Sequence, residues 1–289
     1  MHLNIFVSQK CFLYCKGCYS FSRTEKYGQN ISSEQIIKFL KYAYKKNIKK
    51  VTLCGGDPLA REDIIELLKQ IKSIGYYISL DTVGTPILKD VEKNGKILTK
   101  KISASIISKL VDEIGIPIDG SSNEIFNLFR PTNSNILEEQ IKICEELHKF
   151  DANVCINTVV HKGNLDDVKS LSNLIKKLDY IKKWQLFQFA PLGKYGFLNK
   201  KSFEITNEEF NDYKNNVLEE FNSKKIQFKS FHERDKTYML IDNSGNAWIP
   251  SYNIEKFDNY NKKSEERKIV GNITNFKDWK TICSYLINK

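Results

Sequence analysis

Apolar and polar residues follow two patterns along this chain: short apolar runs and longer stretches with helical spacing. Six runs rich in β-branched or aromatic residues have the length of strands and cover residues 3–8, 50–53, 77–81, 114–119, 154–160 and 184–189. Stretches between them repeat apolar residues every three or four positions, as one face of a helix requires, at residues 34–44, 62–74, 137–150 and 165–178. Apolar strands that alternate with helices predict a parallel sheet covered by helices.

The number of strand–helix units limits the architecture. Six units are complete by about residue 190, which is too few for a closed eightfold barrel. We therefore predict an α/β fold whose core, residues 1–195, is a partial (β/α)6 TIM-like barrel.

The pattern changes after Pro191, where a glycine-containing joint precedes a different set of elements. Thr206 begins a capping-box sequence, which predicts a helix, and Asp242-Asn243-Ser244-Gly245 has the composition of a hairpin turn. The predicted elements are a helix, the two hairpin strands, a polar loop and a terminal helix, at residues 206–221, 237–241, 246–249, 251–268 and 276–287. Residues 196–289 are thus predicted to form a small C-terminal α+β extension that covers the barrel.

Composition and charge exclude only a few classes of function. The chain has 289 residues, 41% hydrophobic residues and a net charge of +10. Its lysines are dispersed in pairs, which predicts a solvated surface; attraction to an anionic partner is the alternative. No basic stripe with interleaved aromatic residues indicates nucleic-acid binding. The apolar N-terminal run is too short for a signal peptide, and no segment has the ~18 apolar residues of a membrane span, so a cytoplasmic protein is expected.

Three of the seven cysteines lie within eight residues, at Cys11, Cys15 and Cys18, directly after the first predicted strand. An odd number of cysteines without a secretory signal favours metal chemistry over disulfides. Thiolates suit iron–sulfur clusters or zinc, but three cysteines with no adjacent histidine do not complete a tetrahedral zinc site. A [4Fe–4S] cluster held by three thiolates keeps one iron open for a substrate or cosubstrate.

This C-x-x-x-C-x-x-C motif after strand one resembles the radical SAM superfamily. The resemblance implies that the open iron binds the methionine group of S-adenosylmethionine (SAM). Reductive cleavage of SAM then yields a 5′-deoxyadenosyl radical that abstracts hydrogen from a substrate. In such a reaction the protein supplies orientation and excludes water.

A second motif, Gly55-Gly56-Asp57-Pro58, follows the second predicted strand and resembles the family's G-G-E-P loop. The resemblance implies that this loop receives the methionine amino group of SAM. Its two glycines allow close approach of the backbone to a ligand. Asp57 keeps the acidic group of the commoner glutamate but is one methylene shorter.

The same resemblance adds Tyr19, Asp119, Arg130, Asn157 and Gln188 to the predicted cofactor site. Tyr19 follows the last cysteine and either approaches the adenine, replacing the aromatic residue that the family has at the position of Gly17, or only packs. Asp119 begins an Asp-Gly…Arg stretch whose arginine, Arg130, meets the SAM carboxylate or forms a surface ion pair. Asn157 and Gln188 interrupt apolar strands, and either approach the ribose and adenine or are satisfied core amides.

The C-terminal extension resembles the SPASM/twitch-like domain of peptide-modifying members, but it lacks that domain's cysteines. The resemblance rests on residues 238–250 and on Val270-Gly271-Asn272-Ile273 with Trp279. The four isolated cysteines, Cys54, Cys144, Cys155 and Cys283, are predicted to act as small buried hydrophobes. A single cluster is therefore expected.

Four functions fit these motifs. The favoured one modifies a peptide or an amino-acid-derived molecule and needs an electron donor such as flavodoxin or ferredoxin. A viperin-like enzyme acting on a nucleotide, a glycyl-radical activase acting on a partner protein, and a non-enzymatic electron carrier are the alternatives. The electron carrier would not need the Gly55–Pro58 loop.

Overall fold

The computed structural model describes residues 2–20, 30–93, 95–221, 225–250 and 267–287. Its strands are β1 (His2–Ser8), β2 (Lys50–Gly55), β3 (Tyr77–Asp81), β4 (Val91–Lys93), β5 (Lys96–Thr99), β6 (Glu113–Pro117), β7 (Val154–Val160), β8 (Lys183–Gln188), β9 (Ile226–Lys229), β10 (Tyr238–Ile241), β11 (Asn246–Pro250) and β12 (Arg267–Asn272). Its helices are α1 (Ser33–Lys45), α2 (Ile64–Ile74), α3 (Thr85–Leu88), α4 (Ala104–Leu110), α5 (Asn123–Phe129), α6 (Ile136–His148), α7 (Val168–Lys177), α8 (Gly193–Leu198), α9 (Lys200–Phe203), α10 (Asn207–Glu220) and α11 (Trp279–Ile287).

Ten of these strands form one sheet in the order β12-β11-β10-β1-β2-β3-β6-β7-β8-β9. The strands from β10 through β1 to β9 are parallel to their neighbours, while β11 and β12 run antiparallel. The six predicted barrel strands are β1, β2, β3, β6, β7 and β8, and they lie side by side as an open α/β barrel requires. The predicted fold class is confirmed.

The sheet continues past the six predicted strands on both edges. Strand β9 pairs with β8, and β10 pairs with β1, where His2 lies opposite Tyr238. Residues beyond position 195 therefore hydrogen-bond to both edges of the barrel sheet. The division into domains at that position stays a prediction.

Local sequence explains where the helices begin and end. Ser32 caps α1 in a reciprocal capping box with Gln35, and Thr206 caps α10 in the same way with Glu209. Gly75 ends α2 in the left-handed conformation that glycine adopts without strain. The predicted helix at 165–178 differs in its first turn, because Lys162–Asp167 forms a 3-10 turn and the α-helix begins at Val168.

The core lies between the sheet and its helices. Val51 and Leu53 of β2 and Ile78 and Leu80 of β3 are completely buried there. Because side chains alternate along a strand, the intervening residues, such as Thr52, face the concave side of the sheet. We call this concave side the lumen. It carries polar side chains because it is the face that helices do not cover.

The C-terminal elements follow the predicted pattern. Strands β10 and β11 form the predicted hairpin around Asp242, whose carboxylate accepts hydrogen bonds from the turn's Ser244 and Asn246 amides. The terminal helix starts as a 3-10 turn at Phe276–Asp278 and continues as α11. Most of the loop predicted at 251–268 falls on residues 251–266, outside the described residues. Within the described ranges, no helix combines the length and apolarity needed to cross a membrane.

Candidate active site

The cysteine motif forms a loop at the carboxyl end of β1, where parallel barrels place their active sites. Cys11, Cys15 and Cys18 form no disulfide, and Cys15 is buried while the other two are half-buried. The Lys16 amide donates to the main-chain oxygen of Phe129 at 2.8 Å, which fastens the loop to the end of α5. The structure thus presents three reduced thiols on one anchored loop.

Position 17 is a glycine because neighbouring rings leave no room for a side chain; its backbone angles do not require glycine. A Cβ atom at this position would lie 2.2 Å from the ring of Phe129 and 2.8 Å from that of Phe189. The ring of Phe129, from α5, therefore occupies the space that a side chain at position 17 would need. Sequence reasoning missed Phe129 because its proximity to the loop depends on long-range packing.

Tyr19 packs at the mouth of the lumen. Its ring makes an edge contact with Phe6 at 6.1 Å between centroids, and its hydroxyl interacts with the thiol of Cys54. The side chain is nevertheless 40% exposed. Part of the side chain is thus packed against the barrel while the rest is accessible. The expected contact with adenine stays a prediction.

The Gly55–Pro58 loop is bonded directly to the start of the cysteine loop. The Gly56 amide donates to the main-chain oxygen of Ser8 at 2.8 Å, and the Asp57 amide donates to that of Lys10 at 2.7 Å. Gly55 has a φ of +120°, which favours glycine, and a Cβ on Gly56 would lie 2.2 Å from the Lys10 oxygen. The two sequence motifs therefore form one structural unit.

The Asp57 side chain points into the protein and organises the next loop. Its carboxylate accepts hydrogen bonds from the Leu59 amide at 2.9 Å, the Thr82 hydroxyl at 2.7 Å and the Val83 amide at 2.7 Å. Burial raises the pKa of Asp57 to about 6, and the three donors only partly offset this effect. Pro58 starts the 3-10 turn that Asp57 caps. Asp57 thus joins the ends of β2 and β3.

We expect Asp57→Glu to destabilise the protein, although glutamate is the commoner residue of the G-G-E-P loop that this segment resembles. Asp57 is fully buried, so the added methylene must displace packed atoms, at a cost of about 1–3 kcal/mol in the free energy of unfolding. Urea denaturation of the metal-free protein measures the change. Asp212→Glu, on the exposed side of α10, is the matched control and should stay within about 0.5 kcal/mol. Equal stability of the two variants would show that the Asp57 pocket has spare room.

Asp119 and Arg130 form a buried ion pair next to the cysteine loop. Arg130 Nε donates to Asp119 Oδ2 at 2.5 Å, and Arg130 Nη1 donates to Cys15 Sγ at 3.3 Å. The Asp119 side chain is completely buried and that of Arg130 is 15% exposed, so the alternative of a surface ion pair is wrong. The predicted contact of Arg130 with the SAM carboxylate stays a prediction.

Asn157 lies in the lumen among other polar groups. Its Nδ2 donates to Asp81 Oδ1 at 2.9 Å, and its Oδ1 accepts from Gln185 Nε2 at 3.2 Å. Burial of Asp81 within the barrel raises the pKa of its carboxyl to about 6. Gln185 was not identified from the sequence, although it lies opposite Asn157 in the register of the strand pair.

Gln188 has a different environment. Its Nε2 is directed to the main-chain oxygens of Ile205 and Thr206 and to Asn207 Oδ1, and its Oε1 accepts from the Phe231 amide at 2.7 Å. The side chain is 3% exposed. The structure does not bring Gln188 together with the cysteine loop through any of these bonds, and its amide matches the alternative of a satisfied core group.

The three thiols are the type of ligand that holds an iron–sulfur cluster. Among the described residues, no group of three or more His, Cys, Asp or Glu side chains converges on one ion. A cubane does not need such convergence, because each thiolate binds a different iron. These residues can hold an iron–sulfur cluster.

Comparisons with known proteins agree with this geometry. The family model described as Radical SAM superfamily matches residues 5–175, more than half of the chain. An AdoMet-dependent heme synthase of Oleidesulfovibrio alaskensis is 27% identical over 72% of this chain. An S-adenosylmethionine-dependent nucleotide dehydratase of Flammeovirga pacifica is 24% identical over 84% of this chain and 80% of its own length. The chain spans only half the length of the heme synthase.

A solved structure shares the fold over nearly the whole chain. Native anSMEcpe with bound AdoMet and Kp18Cys peptide superposes with a TM-score of 0.67. The match covers 96% of this chain and 79% of that one, at 16% sequence identity. Identity at this level shows the architecture alone.

Proposed function

Because the chain belongs to the radical SAM superfamily, we propose that this enzyme cleaves SAM reductively at one [4Fe–4S] cluster and abstracts hydrogen from a peptide or an amino-acid-derived substrate. The observation that carries the proposal is the hydrogen-bonded unit of the cysteine loop and the Gly55–Pro58 loop at the carboxyl end of the barrel. When bound, the cluster supplies the electron that breaks the sulfur–C5′ bond of SAM. A protein donor such as flavodoxin or ferredoxin would deliver that electron.

The chain's own residues hold and orient the reactants. Cys11, Cys15 and Cys18 would bind three irons, and the fourth would be open to SAM. Gly55 and Gly56 keep the loop backbone free of side chains, so it can approach the methionine group closely. Tyr19 and Asn157 are proposed to contact the adenine and ribose.

One further feature of the lumen is proposed to serve the substrate. The Ser79 hydroxyl is buried, and in the described part of the chain it has no hydrogen-bond partner. Ser79 alternates with core residues of β3 and so faces the lumen. A buried hydroxyl normally has a partner, and a polar group of the substrate is the one we propose.

A peptide substrate is favoured by the shared architecture. The anSMEcpe structure contains a peptide together with AdoMet, and the likeness includes 96% of this chain. Residues 196–289 contain a single cysteine, Cys283, which is buried on α11. We therefore propose that this extension is a cluster-free, SPASM/twitch-like element concerned with the substrate.

A nucleotide is the second candidate, and the charge of the lumen supports it. Lys50, Lys183 and Lys229 occupy lumen positions on β2, β8 and β9. Burial lowers the pKa of His2, and the positive charges of Lys50 and Lys229 lower it further, so both lysines act on the start of β1. Glu113 pairs with Lys183 and balances part of this charge. The length match with the nucleotide dehydratase points the same way.

The test follows the release of 5′-deoxyadenosine. Anaerobically reconstituted, dithionite-reduced enzyme is incubated with SAM and either a short peptide encoded beside its gene or a mixture of ribonucleoside triphosphates. We expect the peptide to stimulate 5′-deoxyadenosine release and to change in mass. If a triphosphate stimulates release and the peptide does not, the substrate is a nucleotide and the peptide proposal is wrong.

A charge variant separates the two candidates further. Lys50→Met combined with Lys229→Met removes two lumen charges that are remote from the cysteine loop in sequence. We expect the KM for a peptide without acidic side chains to change little, because such a peptide lacks the concentrated negative charge with which a triphosphate would attract these lysines. A rise of tenfold or more in the KM for a triphosphate, about 1.4 kcal/mol of binding, would favour a nucleotide.

A further inference from the structure

Arg130 connects the barrel wall to one cysteine of the cluster loop. It follows α5 directly, and its guanidinium reaches both Asp119 and Cys15 through separate nitrogens. A planar fork with several donors can make both contacts at once, whereas a lysine ammonium on a flexible stem holds such a geometry poorly. Arg130 thus contacts the barrel wall through Asp119 and the cysteine loop through Cys15, and it is not an exposed surface charge.

The contact is held in place from both sides. Asp119 Oδ1 accepts from the Val159 amide at 2.7 Å, and its main-chain oxygen accepts from Asn164 Nδ2 at 2.8 Å. On the other side, the amide of Lys16, next to Cys15, donates to Phe129, next to Arg130. These bonds fix the two partners of the guanidinium, which are the Asp119 carboxylate and the loop that carries Cys15.

The charge on Arg130 is permanent. A guanidinium stays protonated in proteins, and Arg130 has the carboxylate of Asp119 as its ion-pair partner. A cationic N–H donor on a cluster sulfur stabilises the reduced cluster, which carries one more negative charge than the oxidised cluster. Asp119 bonds a different nitrogen of the guanidinium from the one that donates to the sulfur, and we infer that its carboxylate offsets only part of this effect.

We propose that Arg130, held by Asp119, raises the reduction potential of the cluster by donating a hydrogen bond to the Cys15 sulfur. This inference rests on the proposed cluster and goes beyond it. Arg130 acts here as a positioning and tuning residue that eases transfer of one electron from the external donor to the cluster. The contact to SAM that the sequence predicted is not needed for this role.

The experiment is a redox titration of the reconstituted cluster without SAM, followed by EPR. Arg130→Met removes the charge and the donor, and Arg130→Gln keeps an N–H donor but removes the charge. We expect both midpoints to become more negative, that of Arg130→Met by at least a tenfold change in the ratio of reduced to oxidised cluster, or about 59 mV for one electron. Arg130→Lys should shift the midpoint less than Arg130→Met.

The control is Lys142→Met, which breaks an exposed ion pair with Glu138 on α6 and should leave the midpoint unchanged. Iron per chain is measured on every variant, because a merely structural role would lower iron content without moving the midpoint of the clusters that remain. Midpoints of Arg130→Met and Arg130→Gln equal to wild type at equal iron content would overturn the inference. Absence of iron from the wild type would instead reject the proposed function itself.

Discussion

Cys15→Ala is expected to abolish SAM cleavage and to lower the iron content of the reconstituted protein sharply. The substitution removes one of three thiolates and leaves too few ligands to hold a cubane. It also removes the sulfur that accepts from Arg130 at 3.3 Å. Because even loss of a supporting residue around a metal ligand costs up to about 100-fold in activity or affinity, 5′-deoxyadenosine release should fall by more than that. Product release and iron per chain are the two measurements.

Cys283→Ala is the matched control for the loss of a thiol. Cys283 is buried on α11, at the opposite end of the sequence from the cysteine loop. The control should keep its iron and its activity. If Cys15→Ala behaved like the control, the cysteine loop would not be the cluster site.

Gly56→Ala is expected to separate the two loops of the active site and weaken SAM binding. The new Cβ would lie 2.2 Å from the main-chain oxygen of Lys10 and 2.8 Å from its carbon. These atoms belong to backbone, so relief requires a movement that breaks the bonds from Gly56 to Ser8 and from Asp57 to Lys10. Each bond contributes about 0.5–1.5 kcal/mol to the contact between the loops. SAM affinity of the iron-loaded protein, measured by calorimetry, should fall at least tenfold.

Gly95→Ala provides the comparison. Gly95 has a φ of +71°, and apart from its chain neighbours no described residue has an atom within 4 Å of the position of a Cβ. This variant therefore carries the strain of a left-handed residue, about 1–2 kcal/mol, without a clash near the site. It should lose stability and keep SAM affinity. Unchanged affinity in Gly56→Ala would mean that SAM does not depend on the contact between the two loops.

The parts of the fold that depend on local sequence were predictable. Alternating strands and helices specified the parallel sheet, and the capping box at Thr206 specified where α10 begins. The hairpin turn at Asp242 followed from four adjacent residues. In each case a few neighbouring side chains decide the backbone conformation.

The remaining features depend on contacts between distant segments. Pairing of β10 with β1 joins residues more than 230 positions apart, and no local pattern specifies it. Phe129 fills the space beside Gly17, and Arg130 reaches Cys15, because α5 ends next to the cysteine loop. The sequence identified Arg130 as a site residue but indicated a different partner. For Gln188, the sequence showed a polar residue within an apolar strand. It did not show the partners inside the protein, such as the Phe231 amide.

The measurement that tests the central claim most directly is EPR spectroscopy of the reduced, reconstituted wild-type protein before and after addition of SAM. One [4Fe–4S] cluster with an open iron predicts about four irons per chain and a spectrum that changes when SAM is added. About eight irons per chain would contradict the single cluster. A reduced cluster whose spectrum is indifferent to SAM would contradict the open iron, and with it the role of Cys11, Cys15 and Cys18 in presenting that iron to SAM.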